Sequence, residues 1–314
     1  MKILFTSVGR RVELIQAFHN AADKLNISLE IYGADITESA PALFFCDKTI
    51  IVPRINDEEY IPSLIKICED NNIDALIPTI DTDLLLLSQN KEKFKNTKVL
   101  ISAEDKIKIC RDKNYTADYF NSVGLKSPHP VDDYKKYAQG FPAFIKPKDG
   151  SSSIFAYKVN NEKELETYAS QVPEYIVQPF IEGTEYTVDI FCDFNGNPVY
   201  ITPRIRLVVR AGEVLKTEIV QDQKIIDEMK QLITDYKPCG QITVQLIRDN
   251  KSQEDYYIEI NPRFGGGAPL SIKAGADSAE AVIRLLSGEQ LSYVPNAAED
   301  KAIYSRFDQS VKVN

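Results

Sequence analysis

The chain has 314 residues, 43% of them hydrophobic, and a formal net charge of −9 at pH 7. That length supports two or three packed layers or small domains, and an acidic balance without a basic stripe argues against nucleic acid as the main partner. No apolar run is long enough to span a bilayer, and the opening MKILFTSVG is too short an apolar stretch for a signal peptide. The five cysteines, Cys46, Cys68, Cys110, Cys192 and Cys239, are dispersed without metal-like spacing, which fits reduced thiols and a cytoplasmic setting. Only two histidines, His19 and His129, are present, so chemistry built on a histidine triad is not expected.

Up to about residue 110 the pattern alternates strand and helix. KILFTSV reads as a strand, RRVELIQAFHNAADKL as a helix with apolar residues at 12, 14, 15, 18, 21, 22 and 25, and SLEIYGAD as a strand again. KTIIVP, a helix over 58–71, DALIPTI and KVLIS continue the series, which predicts a parallel sheet with ligands at the carboxyl ends of its strands. Three such ends carry polar residues: 7–11 (SVGRR), 33–35 (GAD) and 78–83 (PTIDTD). The first is not GxGxxG, so a nicotinamide site has little support. Arg10, Arg11 and Asp81 are candidates for substrate contacts, although helix-start ion pairs and a cap at Asp81 or Asp83 account for the same residues.

A helix over 112–123 stops at Gly124. FPAFIKPKDGSSSIFAYKV then places Lys146 on a strand, followed by a Gly/Ser loop from Lys148 through Ser151 and Ser152. A helix over 162–170 leads into YIVQPFIEGTEYTVDIFCD, a return to strand. In NPVYITPRIRLVVRAGEV, Arg204, Arg206 and Arg210 recur at even spacing, so one strand face reads as basic. Such a face suits carboxylate or phosphate, or pairs with the chain's own acids.

The most informative stretch is YYIEINPRFGGG, over 256–267. Alternation puts Tyr257, Glu259 and Asn261 on one face and Ile258 and Ile260 on the other, and Pro262 ends the strand. Arg263 and three glycines follow, among them Gly266, whose backbone can approach a ligand closely. Upstream, GQITVQLI is a strand whose antiparallel pairing would bring Gln245 beside Glu259. One carboxylate with two amides is a poor cage for a metal by itself, but suits Mg²⁺ that also binds substrate phosphates. A helix over 276–286 follows.

These two segments resemble the end of the ATP-grasp fold, most closely that of carbamoyl-phosphate synthase large subunits and their relatives. The resemblance is good from Lys113 to Gly288 and holds in outline before that. It implies an α/β chain: a Rossmann-like domain over 1–110, then a two-subdomain, α+β ATP-grasp unit with a small lid over 111–180 and a metal-bearing part over 181–314. With no internal repeat, one such unit is expected. It further implies ATP with two magnesium ions, or manganese, held by Gln245, Glu259 and Asn261. Lys113, Lys146, Lys148, Ser151 and Ser152 would meet the phosphates. Gln178, Pro179, Phe180 and Ile181 would flank adenine, and Glu185 would bind ribose. Arg263 and Lys146 would be catalytic, while Arg10, Arg204, Arg206 and Gly266 would contact the second substrate. The implied activity is ligation of a small carboxylate to an amine through an acyl phosphate, with no membrane or nucleic-acid partner and a homodimer common among relatives. A stand-alone carbamoyl-phosphate-synthase-like unit using bicarbonate or carbamate, and a nucleotide-binding regulatory protein without turnover, are the alternatives.

Overall fold

The computed structural model describes residues 1–149 and 154–313; residues 150–153, Ser151 and Ser152 among them, lie outside the described residues. Strands β1 (Lys2–Thr6), β2 (Glu30–Asp35), β3 (Lys48–Ile51), β4 (Ala75–Pro78) and β5 (Lys98–Val99) form a parallel sheet in the order β3-β2-β1-β4-β5. Both faces of β1 are buried, as such a sheet requires: Ile3 and Phe5 pack into one core and Leu4 into another. Helix α1 (Val12–Leu25) covers the first face with a stripe of Leu14, Ile15, Phe18, Ala21 and Ala22, and ends at Asn26 in the left-handed region. Helices α2 (Tyr60–Asn71) and α3 (Leu84–Asn90) supply Leu64, Leu84 and Leu87 to the second. The sheet grows from β1 through β2 to β3, then returns to the other side of β1 with β4. The topological switch point therefore lies between β1 and β4.

Helices α4 (Glu104–Arg111) and α5 (Lys113–Ser122) follow, with Asp112 capping α5 by accepting from Asn114 N–H. Strands β6 (Ala143–Pro147), β7 (Tyr157–Val159) and β8 (Tyr175–Pro179) make a small antiparallel sheet in the order β7-β6-β8, backed by helix α6 (Glu162–Ala169). It has its own core of Ala143, Ile145, Val159, Leu165, Val172 and Val177. Phe120 of α5 packs elsewhere, with its ring 5.3 Å from that of Tyr257 in the large-sheet core.

The largest sheet contains β9 (Gly183–Cys192), β10 (Pro198–Arg210), β11 (Glu213–Ile219), β12 (Gly240–Asp249), β13 (Asp255–Asn261) and β14 (Ile303–Ser305), ordered β13-β12-β9-β10-β11-β14. Helix α7 (Gln223–Tyr236) covers one face through Ile225, Ile226, Met229, Leu232, Ile233 and Tyr236. Helices α8 (Ala268–Lys273) and α9 (Ser278–Leu286) bury Ala268, Ile272, Val282 and Ile283 in the same core as Phe5 and Phe18. Hydrophobic packing thus runs from the first strand of the chain into the segment after the glycines. Among the described residues no helix is long and apolar enough to cross a membrane.

Two alternation-based expectations fail because the strands are irregular. β12 pairs with β13 at Gln245↔Glu259, as expected, but then at Leu246↔Tyr257, so Ile258 is an extra, bulged residue. The bulge turns Tyr257 into the core beside Ile260, away from the face of Glu259 and Asn261. β10 breaks register between Arg206 and Val208 and again between Val208 and Val209. Both breaks separate Arg210 from Arg204 and Arg206, so the three form no continuous basic face: the side chain of Arg204 is 2% exposed and that of Arg210 is 59% exposed.

Candidate active site

The loop after β1 is drawn tightly onto the switch point. Ser7 has a positive φ of 54°, a region that costs a non-glycine residue energy. Its carbonyl accepts from Thr79 Oγ1 at 2.7 Å, and Gly9 N–H donates to Asp35 Oδ2 at 2.9 Å. This winding aims Arg11 inward, where Nη2 donates to the Thr79 carbonyl at 3.2 Å. Burial, and then the neighbouring Arg263 guanidinium, push Arg11 down to about 10. Arg10 points the other way. Its side chain is 85% exposed and lies 3.8 Å from Asp308, outside the crevice that Arg11 enters. The sequence offers two adjacent arginines, and only the turn at Ser7–Gly9 decides between them.

Behind this loop Asp83 is fully buried. Its Oδ2 accepts from Thr6 Oγ1 at 3.0 Å and Tyr60 Oη at 3.2 Å, while Oδ1 has no partner. Burial raises this carboxyl to about 6, against the pull of those hydroxyls.

Arg263 leaves the end of β13 and reaches the same crevice, where its Nη2 donates to Asp81 Oδ2. The next residue, Phe264, is buried with its ring 5.9 Å from Phe18, edge-on, and Phe18 in turn is 5.0 Å from Phe5. The glycine turn is thereby anchored in the core of the first domain. These glycines make close approaches to the protein itself: a Cβ on Gly266 would meet Glu213 Oε2 at 2.1 Å, and one on Gly267 would meet Arg204 Nη2 at 2.5 Å.

Arg204 lies beneath that turn. Its Nε donates to Asp189 Oδ2 at 2.8 Å, and Asp189 also accepts from Ser271 and Thr243. The guanidinium is 2% exposed and lies directly beneath Gly267, with its Nη1 buried and making no hydrogen bond. Arg206 is occupied too: its Nε lies 3.2 Å from Glu185 Oε2 and its Nη2 donates to the Gly212 carbonyl at 2.9 Å. Of these two contacts only that to Gly212 is a hydrogen bond; Arg206 Nε is buried and makes none, so Glu185 neutralises it by charge.

Glu259 and Asn261 share a face, with Asn261 Nδ2 donating to Glu259 Oε1 at 2.9 Å and Gln245 across from Glu259 on β12. The Glu259 carboxylate lies within electrostatic reach of Lys113, Lys146 and Arg206. Lys146, inward on β6, is buried; desolvation, and then the Lys113 charge, push its ammonium down to about 8. Burial also lowers Lys113, whose Nζ donates to the Lys148 carbonyl at 3.3 Å. The Lys148 ammonium turns to Asp112, 3.3 Å away, which raises its pKa. Among the described residues no group of three or more His, Cys, Asp or Glu could hold a metal. One carboxylate flanked by two amides fits a magnesium ion whose remaining ligands come from phosphate and water.

At the β8–β9 junction Gln178 is buried and pairs with Phe144. Phe180 N–H is already donated to the Pro142 carbonyl at 3.1 Å, and its ring packs 6.1 Å from Phe144 with Lys158 above it. Pro179 and Ile181 flank it, both part-buried. Glu185 is exposed on β9.

A parallel first domain, a small antiparallel lid and a large antiparallel sheet, meeting over two lysines, a carboxylate–amide pair and an arginine, define the ATP-grasp architecture. Comparison with known proteins agrees. Residues 110–267 match the family model described as an ATP-grasp domain, and residues 3–102 match that of a PylC-like N-terminal domain. The chain belongs to the ATP-grasp family. A carbamoyl-phosphate synthase of Methanobrevibacter smithii is 23% identical over 287 residues, covering 83% of this chain and 75% of that protein. A 3-methyl-D-ornithine–L-lysine ligase of Methanosarcina acetivorans is 25% identical over 234 residues, covering 73% of this chain but only 61% of the ligase. The biotin carboxylase domain of a Hydrogenobacter thermophilus 2-oxoglutarate carboxylase, solved with MgADP and bicarbonate, superposes with a TM-score of 0.72 at 17% identity, covering 96% of this chain and 73% of that one.

Proposed function

We propose that the protein is an ATP- and magnesium-dependent carboxylate–amine ligase that works through an acyl phosphate. The observation that carries this reading is the convergence of Lys113 and Lys146 on Glu259. Both ammonium groups are partly desolvated and lie beside the carboxylate assigned to the metal, where phosphate oxygens of ATP would meet them as charge partners.

In this reading Lys113 and Lys146 hold the phosphates, the backbone around Gln178–Ile181 borders the adenine, and Glu185 accepts from the ribose hydroxyls. Gln245, Glu259 and Asn261 hold magnesium, which when bound neutralises charge on the phosphates. Residues 1–110 and the turn at Gly266 form the second-substrate side, and the lid within 111–180 excludes water. A substrate carboxylate oxygen attacks the γ-phosphorus and ADP leaves. An amine nitrogen then attacks the acyl carbon, its proton is lost, and the acyl–oxygen bond breaks to release inorganic phosphate. Arg263 stabilises the oxyanion of that second step, a donor whose loss typically costs about 3 kcal/mol of barrier.

Glu259→Gln tests the assignment, because it keeps the shape and removes the charge. ATP turnover should fall about 100-fold or more, and unchanged turnover would mean that this group is not at the reaction centre. A second reading, a unit acting on bicarbonate, draws on the coverage of the carbamoyl-phosphate synthase match. Phosphate release driven by bicarbonate without another acid would favour it.

A further inference from the structure

Three guanidinium groups from separate parts of the chain meet at the mouth of the glycine turn. Arg11 comes from the loop after β1, Arg263 from the end of β13, and Arg306 from the segment after β14. Arg263 is matched by Asp81, and Arg306 Nε donates to Glu13 Oε2 at 3.1 Å. Arg306 Nη1 also donates to the Val214 carbonyl at 3.3 Å and Arg11 lies within electrostatic reach of Asp81, and both arginines reach the carboxylate of Glu213. The distances are 3.9 Å from Arg11 Nη1 to Oε1 and 3.6 Å from Arg306 Nη1 to Oε2.

Those distances exceed the 2.7–2.9 Å or so of well-formed guanidinium–carboxylate hydrogen bonds. Glu213 therefore meets the two arginines through charge without a hydrogen bond, while their own hydrogen bonds go to the Thr79 and Val214 carbonyls and to Glu13. It also sits against the Gly266 backbone, the position a Cβ would otherwise fill. Glu213 is carried by the two-residue turn Ala211–Gly212, both with positive φ, at the tip of the β10–β11 hairpin beside the exposed Val208 and Val209. Its side chain is 54% exposed, whereas that of Arg11 is 18% exposed and fixed by the wound loop. Glu213 is thus the most exposed of the three side chains, and Arg306 is 24% exposed.

We infer that Arg11 and Arg306, in front of Gly266, form a binding site for the carboxylate of the second substrate, and that Glu213 holds this site as an internal stand-in until that substrate displaces it. The inference rests on the ligase reading only for the identity of the ligand as a substrate. Its charge class follows from the group that fills the site now.

The test is thermal stabilisation of the full chain with Mg-ADP present. The probes are the free proteinogenic amino acids and simple mono- and dicarboxylic acids, each with its primary amide, and inorganic phosphate. At least one free acid should stabilise the wild type where its amide and phosphate do not. Glu213→Gln should tighten that acid several-fold, and Arg11→Gln should weaken it about tenfold or more. Arg306→Gln provides a second weakening variant should Arg11→Gln fold poorly, with retained Mg-ADP binding as the folding control. Weaker binding in Glu213→Gln would make Glu213 a contact for a cationic group and overturn the stand-in role. Acid binding undiminished by both arginine variants, equal binding of phosphate, or no response to any acid even in Glu213→Gln would overturn the site. Mg-ATP affinity of Glu259→Gln, measured alongside, separates the two readings. If it matches the wild type the ATP site is misassigned; if it falls while the carboxylate results fail, this inference alone is wrong.

Discussion

The Arg263 guanidinium donates to the Asp81 carboxylate across 182 residues of sequence, joining the end of β13 to the loop after β4. Arg263 is largely buried beside Arg11, so Asp81 offsets two like charges at one point. Asp81→Asn removes that offset while keeping the shape, and should lower unfolding stability by about 1–3 kcal/mol. A double-mutant cycle with Arg263→Gln should show coupling of about 0.5–3 kcal/mol. Strictly additive effects would mean that the pair contributes nothing to holding the two domains together.

Lys146 has its ammonium depressed to about 8 by burial and by Lys113. In the free enzyme the charged form is therefore lost as pH rises through about 8, well below the ordinary lysine range. Affinity for Mg-ATP should decline above that pH. Lys146→Arg, which stays charged, should flatten the decline even if it binds less well. An identical pH profile in wild type and variant would remove Lys146 from the phosphate site. The same shift bears on stability with the opposite slope. Between about 8 and the ordinary lysine value the unfolded chain binds the extra proton, so this group's penalty shrinks as pH rises.

Asp83 supplies a second, independent pH signal. Its carboxyl is raised from the ordinary aspartate range to about 6, so its contribution is fully present below that range and is lost as pH rises through about 6. A displacement of that size corresponds to roughly 3 kcal/mol. Asp83→Asn should flatten the dependence of unfolding free energy on pH between 4 and 6, read by denaturant titration at several pH values. A slope unchanged by the substitution would mean that the buried carboxyl does not titrate in that window.

Phe264 connects the glycine turn to the first-domain core through Phe18 and Phe5. Phe264→Ala should cost about 3–5 kcal/mol and Phe264→Leu under about 1.5 kcal/mol. Both should lower kcat more than they raise KM for ATP, since the neighbour displaced is Arg263. A stability loss with kcat preserved would show that the anchor does not position the arginine.

The fold class was legible because its signals are local. Strand–helix alternation marked the first domain, and β12 and β13 were placed side by side with Gln245 opposite Glu259. Irregular geometry was not legible. Nothing in YYIEIN marks Ile258 as a bulge, and so Tyr257 was expected on the wrong face. Helix α7 carries a local signal, Asp222 as cap and six apolar residues at helical spacing, whereas the shorter α4 and α8 offer fewer turns over which a period can be read. Charges were hardest to assign, because a guanidinium's role depends on a partner distant in sequence. Arg204 is committed to Asp189 inside the sheet and Arg206 lies against Glu185, while Arg210, not Arg10, takes both oxygens of Asp308. Arg11 and Arg306 acquire their neighbours only when the first domain, the hairpin and the last strand pack together.

The most direct test of the central claim follows oxygen. A panel of carboxylic acids labelled with ¹⁸O in the carboxylate is incubated with the enzyme, Mg-ATP and amines, and the released phosphate and any conjugate are weighed by mass spectrometry. An acyl-phosphate ligase transfers one labelled oxygen to phosphate for each conjugate formed, and releases phosphate only when acid and amine are both present. Conjugate formed with unlabelled phosphate, or ATP turnover indifferent to the acid, would contradict it.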